Sequence, residues 1–121
     1  MAYRILIVDD EPNIVISLEY LMKKEGFQIA VATDGEAALQ KASEFAPDLI
    51  LLDAMMPKKS GFEVCQTLRA DPALAGVKII MLTAKGREPE VAKGMALGAD
   101  AYITKPFSTK DLVLQIKSLL A

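Results

Sequence analysis

The sequence predicts an α/β domain: an open, doubly wound, mostly parallel sheet of five strands in the order 2-1-3-4-5, with helices on both faces. Three observations lead there. Short apolar runs recur along the chain without polar alternation, the pattern of strands buried on both faces. Segments with helical spacing and recognisable ends lie between them. The length of 121 residues is about half of what a closed eight-stranded barrel requires.

The first strand is read at Ile5 to Val8, and the helix after it carries Ile14, Leu18, Leu21 and Met22, with Pro12 near its first turn and Gly26 at its stop. The second strand spans Ile29 to Ala32. Its helix starts near Asp34, aligns Ala38, Ala42 and Phe45, and ends before Pro47. The third strand, Leu49 to Leu52, leads to a helix that follows Ser60, buries Val64, Cys65 and Leu68, and stops at Asp71-Pro72. The fourth strand is Ile79 to Leu82, with a helix from near Glu88-Pro89 to Gly98. The fifth, Ala101 to Ile103, is weaker; the last helix follows Ser108 or Thr109 and carries Leu112, Ile116, Leu119 and Leu120. No linker, repeat or low-complexity stretch interrupts this order, so residues 1–121 are expected to form one domain.

Composition narrows the chemistry. There is no His and a single Cys, Cys65, which removes Ser-His-Asp and Cys-His catalysis, a tetrahedral zinc site and any internal disulfide. Fourteen Lys+Arg against 16 Asp+Glu leave a formal net charge of -2, which supplies no attraction for nucleic acid or an anionic membrane. The amino terminus meets Asp9 and Asp10 too early for a signal-peptide core. No run approaches the roughly 18 apolar residues of a membrane span. A cytoplasmic location is expected.

Sheets of this kind bind ligands at the carboxyl ends of their strands, where the strand order reverses. Asp9 and Asp10 follow the first strand, Asp53 the third, Thr83 the fourth and Lys105 the fifth. Each has a plainer role when taken alone: a helix amino terminus for the acids, a turn for Asp53, an ordinary strand end for Thr83, a solvated loop for Lys105. Together they converge on one rim. Two carboxylates about 4 Å apart repel by roughly 4 kcal/mol at an effective dielectric of about 20, so such a cluster implies a cation. Oxygen ligands with room for water or phosphate suit Mg²⁺. Lys105 and Thr83 then supply a charge and a hydroxyl for phosphoryl oxygens. Asp53, alone at its strand end, is the carboxylate best placed to form an aspartyl phosphate.

Val8-Asp9-Asp10-Glu11, Leu51-Leu52-Asp53-Ala54-Met55-Met56-Pro57 with Gly61, Thr83-Ala84, and Tyr102-Ile103-Thr104-Lys105-Pro106-Phe107 resemble, in order and spacing, the receiver domain of two-component response regulators. The resemblance covers essentially the whole chain and implies a flavodoxin-like (βα)5 fold. It implies that Asp53 accepts the phosphoryl group, and that Asp10, Asp53 and the backbone carbonyl of Met55 bind Mg²⁺, with Asp9 acting through a water. Lys105 would pair with the phosphoryl oxygens and Thr83 would donate a hydrogen bond to one of them. Ala84 matches the small residue that keeps the pocket open, Tyr102 the aromatic switch residue, and Lys105-Pro106 a cis peptide. One departure is the loop Lys58-Lys59-Ser60-Gly61, where family members commonly carry an apolar residue at the position of Lys59 and often an acidic one at that of Ser60.

The implied partners are a sensor histidine kinase or a histidine phosphotransfer domain, and a target reached through the fourth helix, fifth strand and fifth helix. The domain would catalyse its own phosphorylation and dephosphorylation rather than act as a conventional enzyme. Two alternatives have less support. An aspartyl-nucleophile phosphatase of the haloacid dehalogenase type wants Asp-x-Asp after the first strand, whereas Asp9 and Asp10 are adjacent. A flavodoxin-like cofactor-binding module needs a Ser/Thr/Gly-rich phosphate loop where this chain has three acids.

Overall fold

The computed structural model describes residues 2–56, 59–84 and 88–121. Pro57 and Lys58 of the motif after the third strand, and residues 85–87 after the fourth, lie outside the described residues.

Strands β1 (Arg4–Val8), β2 (Gln28–Ala32), β3 (Leu49–Asp53), β4 (Lys78–Ala84) and β5 (Ala101–Lys105) alternate with helices α1 (Pro12–Lys24), α2 (Gly35–Phe45), α3 (Gly61–Ala70), α4 (Glu88–Ala96) and α5 (Thr109–Leu120). All four strand pairings are parallel and the order is β2-β1-β3-β4-β5, as the apolar runs predict. The ladder carries the strands past the points where their apolar runs end. Asp53 and Lys105 are therefore the last strand residues, and Thr83 lies inside β4, rather than in the loops beyond. Burial on both faces holds for the inner strands; β2 and β5, at the edges, are partly exposed.

Alternate strand residues feed two cores. Leu6, Val8, Ile50, Leu52, Ile79 and Met81 pack against Ala38 and Ala42 of α2 and Val64, Cys65 and Leu68 of α3. Ile5, Ile7, Leu49, Leu51, Ile80 and Leu82 face Leu18 and Met22 of α1 and Leu112 and Ile116 of α5. In α1 the buried row is Val15, Leu18 and Met22. Ile14 and Leu21, expected on the same face as Leu18 and Met22, are partly buried and pack against that core, and Val15 joins the buried row.

Local chemistry closes the elements. Asp34 caps α2 by accepting from the Ala37 N–H at 2.8 Å. Ser60 and Glu63 form a reciprocal capping box on α3, with two otherwise orphaned donors satisfied. Ser108 caps α5. The Lys105–Pro106 peptide is cis, as the resemblance implies. At the opposite end of the sheet, the Arg69 guanidinium donates to the carbonyls of Gly98, Ala75 and Val77 and pairs with Asp100 at 2.8 Å, while Asp100 also accepts from the Ile79 N–H at 2.8 Å.

Two glycines let backbones meet beside the strand ends. Gly35 lies against the Cβ and carbonyl of Lys59, so the unusual residue of the β3–α3 loop is seated through its main chain. The Gly61 N–H donates to the Ala54 carbonyl at 2.9 Å, and a Cβ on Gly61 would lie 2.9 Å from the Ala54 Cα and closer still to the Asp53 carbonyl. Gly61→Ala is therefore expected to lower stability by about 1–3 kcal/mol, the range for a forced overpacking. Urea unfolding of the variant beside wild type checks this; an unchanged midpoint would show that the loop yields freely.

Candidate functional site

Each residue of the rim is placed by the end of an element. The Asp9 N–H donates to the Ala32 carbonyl at 3.2 Å, which extends the β1–β2 ladder by one residue. Asp53 closes β3, and the next residue, Ala54, donates to the Leu82 carbonyl of β4 at 3.0 Å. Thr83 pairs in register with Thr104, and Ala84 with Lys105. Because β1 and β3 are neighbours, the carboxylate oxygens of Asp9, Asp10 and Asp53 come within 4.8 Å of one another. Asp9 and Asp53 are buried and Asp10 is exposed.

Lys105 enters this cluster from β5. Its Nζ lies 2.8 Å from Asp9 Oδ2, 2.9 Å from Glu11 Oε1 and 3.5 Å from Asp53 Oδ1. The side chain is only 14% exposed, which corrects the plainer expectation of a solvated loop lysine. Burial alone would lower its pKa, but the close contact with Asp9, the hydrogen bond to Glu11 and the charge of Asp53 outweigh this and push it up to about 12.

Asp53 moves the other way for a carboxylate. Burial first, then the charge of Asp9, push its pKa up to about 7, against the opposing effects of Lys105 and of a hydrogen bond donated by the Met55 N–H. That hydrogen bond is long, at 3.4 Å. A buried carboxylate facing another is short of positive charge, and two atoms show it. Asp9 Oδ2 has an ion pair but no aligned hydrogen bond, and Thr83 Oγ1, also buried, has no partner among the described residues. The oxygen-only donor set and the under-neutralised charge fit a hard cation.

Asp10, Glu11, Asp53, Met55, Thr83, Ala84 and Lys105 line one cleft of about 290 Å³. Every rim residue singled out from the sequence is therefore brought together. Tyr102 is the exception by place: 45% exposed, it lines a separate groove of about 580 Å³ with Met95 of α4 and Asp111 and Gln115 of α5. Glu11, quoted in the first motif but given no role in the site, and Glu90, which also lines the cleft, were not anticipated as parts of it.

Fold and rim define a flavodoxin-like domain with an acidic, cation-ready cleft at the point where its strand order reverses. The sequence profile of the response regulator receiver domain matches residues 5–117, and the chain belongs to that family. It is 46% identical over 120 residues to the alkaline phosphatase synthesis transcriptional regulatory protein PhoP of Bacillus subtilis, covering 99% of this chain and 49% of that protein. The DNA-binding response regulator MtrA of Mycolicibacterium smegmatis is likewise 46% identical over 120 residues, with 99% and 51% covered. The chain thus spans about half the length of the curated relatives it matches. Among solved structures, the chemotaxis response regulator CheY4 of Vibrio cholerae superposes with a TM-score of 0.93 at 29% identity, covering 99% of this chain and 100% of that one. The signal receiver domain of a signal transduction histidine kinase from Syntrophus aciditrophicus gives 0.91 at 34% identity, with 98% and 90% covered. No helix among the described residues is long and apolar enough to cross a membrane.

The raised Asp53 pKa has a thermodynamic sign. The folded state holds this proton more tightly than the unfolded chain, so stability is lost as pH rises from the ordinary value of 3.8 through about 7. In chelator, Asp53→Asn is expected to melt at a higher temperature than wild type at pH 8, with the advantage shrinking toward pH 4. Thermal melts across that range check it, and a pH-independent difference would contradict the assignment.

Proposed function

We propose that this domain is a phosphorylation-activated signalling switch in which Asp53 accepts a phosphoryl group from a histidine kinase or a histidine phosphotransfer protein. The observation that carries the reading is the position of Asp53, buried between a carboxylate pair and Lys105 with the unpartnered hydroxyl of Thr83 on the same cleft. A carboxylate oxygen of Asp53 attacks phosphorus as the bond to the donor's nitrogen or oxygen breaks, and the leaving group takes up a proton. Lys105 holds positive charge against the phosphoryl oxygens and Thr83 donates its hydroxyl to one of them, which gives that hydroxyl the partner it lacks among the described residues. Asp10, Asp53 and the Met55 carbonyl would hold Mg²⁺, with Asp9 acting through a water. Bound there, Mg²⁺ supplies the charge that offsets the carboxylates and the incoming phosphoryl group.

The same reading takes residues 1–121 as one receiver domain, placed in the cytoplasm, that binds neither nucleic acid nor membrane itself. Its target is an output domain or a separate protein. Two full-length relatives, named as a transcriptional regulatory protein and a DNA-binding response regulator, favour a transcriptional output. Intact-mass analysis after incubation with acetyl phosphate and Mg²⁺ is expected to show one added phosphoryl group in wild type and none in Asp53→Asn or in excess chelator. Full labelling of Asp53→Asn would remove Asp53 from the mechanism.

Transmission to the target is assigned to α4, β5 and α5. Thr83 shares a sheet face with Met81, which pairs in register with Tyr102, so the hydroxyl and the aromatic ring lie on one surface a single strand apart. When Thr83 turns to the phosphoryl group it vacates space beside β4, and Tyr102 swings inward from its exposed position. The loop from Lys85 to Glu88, with Gly86, and α4 are the parts assigned to follow; residues 85–87 of that loop lie outside the described residues. Backbone amide shifts with beryllofluoride are expected to reach residues 88–121 in wild type and to stay near Asp53 in Thr83→Ala. Equal spread in both proteins would refute the relay.

A further inference from the structure

Glu11 occupies the N-cap position of α1, where an acidic side chain ordinarily accepts from the first free N–H groups of a helix. Here it makes no capping hydrogen bond, and Pro12 follows it. The carboxylate instead crosses from α1 to β5 and accepts a hydrogen bond from Lys105 Nζ at 2.9 Å. Its backbone also orients the site, since the Glu11 N–H donates to Asp9 Oδ1 at 2.9 Å.

An ammonium has three N–H donors, and Lys105 faces three carboxylates that differ in what they can give up. Asp9 is fully buried, at 0% side-chain exposure, and 2.8 Å away; stripped of its counter-ion it would be an uncompensated buried charge. Asp53, the reacting carboxylate, is the most distant at 3.5 Å. Glu11 combines a 2.9 Å ion pair with an aligned hydrogen bond, yet its side chain is 59% exposed. Water can take over its solvation when the lysine leaves. Of the three, it is the partner most easily exchanged.

We propose that Glu11 is a positioning residue that parks Lys105 away from Asp53, so that the lysine leaves Glu11 to meet the phosphoryl group and phosphorylation is restrained until it does. The inference rests on Asp53 being the acceptor. It gives an exposed acid outside the metal-ligand set control over how readily the site accepts a phosphoryl group. Removing the contact frees the lysine at the start of the reaction and leaves the phosphorylated state, where the contact is already broken, largely unaltered. The gain in rate is then about two- to fivefold, the size of an exposed ion pair.

Two substitutions separate the contact from the mere charge. Glu11→Ala removes both, whereas Glu11→Asp keeps the charge but withdraws it by one methylene. Labelling rates with acetyl phosphate at saturating Mg²⁺ are expected to rise in both variants, more in Glu11→Ala. A wild-type rate in Glu11→Ala overturns the proposal. A faster Glu11→Ala beside a wild-type Glu11→Asp also overturns it, because charge alone would then suffice. Independently of turnover, the side-chain ¹³Cε–¹Hε signal of Lys105, recorded without phosphodonor, is expected to move in both variants. An unmoved signal in Glu11→Ala overturns the contact itself. Absence of labelling in wild type would instead strike at Asp53 as acceptor.

Discussion

Three carboxylates crowd the carboxyl end of a parallel sheet, and their mutual repulsion is the constraint around which the rest of this domain is organised. Adjacency of β1 and β3 makes the crowding unavoidable, since it brings Asp9, Asp10 and Asp53 to one point. Lys105 answers it from β5, two strands beyond β3. The arrangement is deliberately incomplete as a charge balance. Asp53 keeps a pKa near neutrality because burial and Asp9 outweigh Lys105, so the cleft holds affinity in reserve for positive charge and for groups that organise it.

That reserve has to be supported by ordinary packing. Two apolar cores, one on each face of the sheet, fix the five strands in register, and the strand ends inherit that order. The glycine at the start of α3 then lets the helix come down onto the backbone of Asp53 and Ala54. A cleft built on ladder ends and close backbone contacts has little freedom to relax its charges apart. Reactivity here follows from rigidity.

Much of this was readable in the sequence because strand ends obey simple rules. Unbroken apolar runs mark strands, and a polar residue soon after four of the five marks a shared rim, which is how Asp9, Asp10, Asp53, Thr83 and Lys105 are legible together in the sequence. The misses have physical causes. Glu11 precedes Pro12, so its position advertises a helix start, and only the fold shows its carboxylate turned toward β5. Lys105 is legible as a member of the rim, but its depth is not: three carboxylates make its burial tolerable, and only the fold brings them to it. Ser60 is legible as the start of the third helix, whereas the return bond from Glu63 and the seating of Lys59 on Gly35, which joins two loops far apart in sequence, emerge only in the fold. Val15 was not named for the buried face of α1, because neighbouring apolar residues leave periodicity alone unable to rank them.

The Arg69 guanidinium gathers Gly98, Asp100, Ala75 and Val77 at the end of the sheet remote from the cleft. It thereby ties the tail of α3 to the segment leaving α4 and to the starts of β4 and β5. Such a knot concentrates the order of several segments in one side chain. Truncating Arg69 would leave the carbonyls of Gly98, Ala75 and Val77 without that donor, and Asp100 without its counter-ion, in a single step.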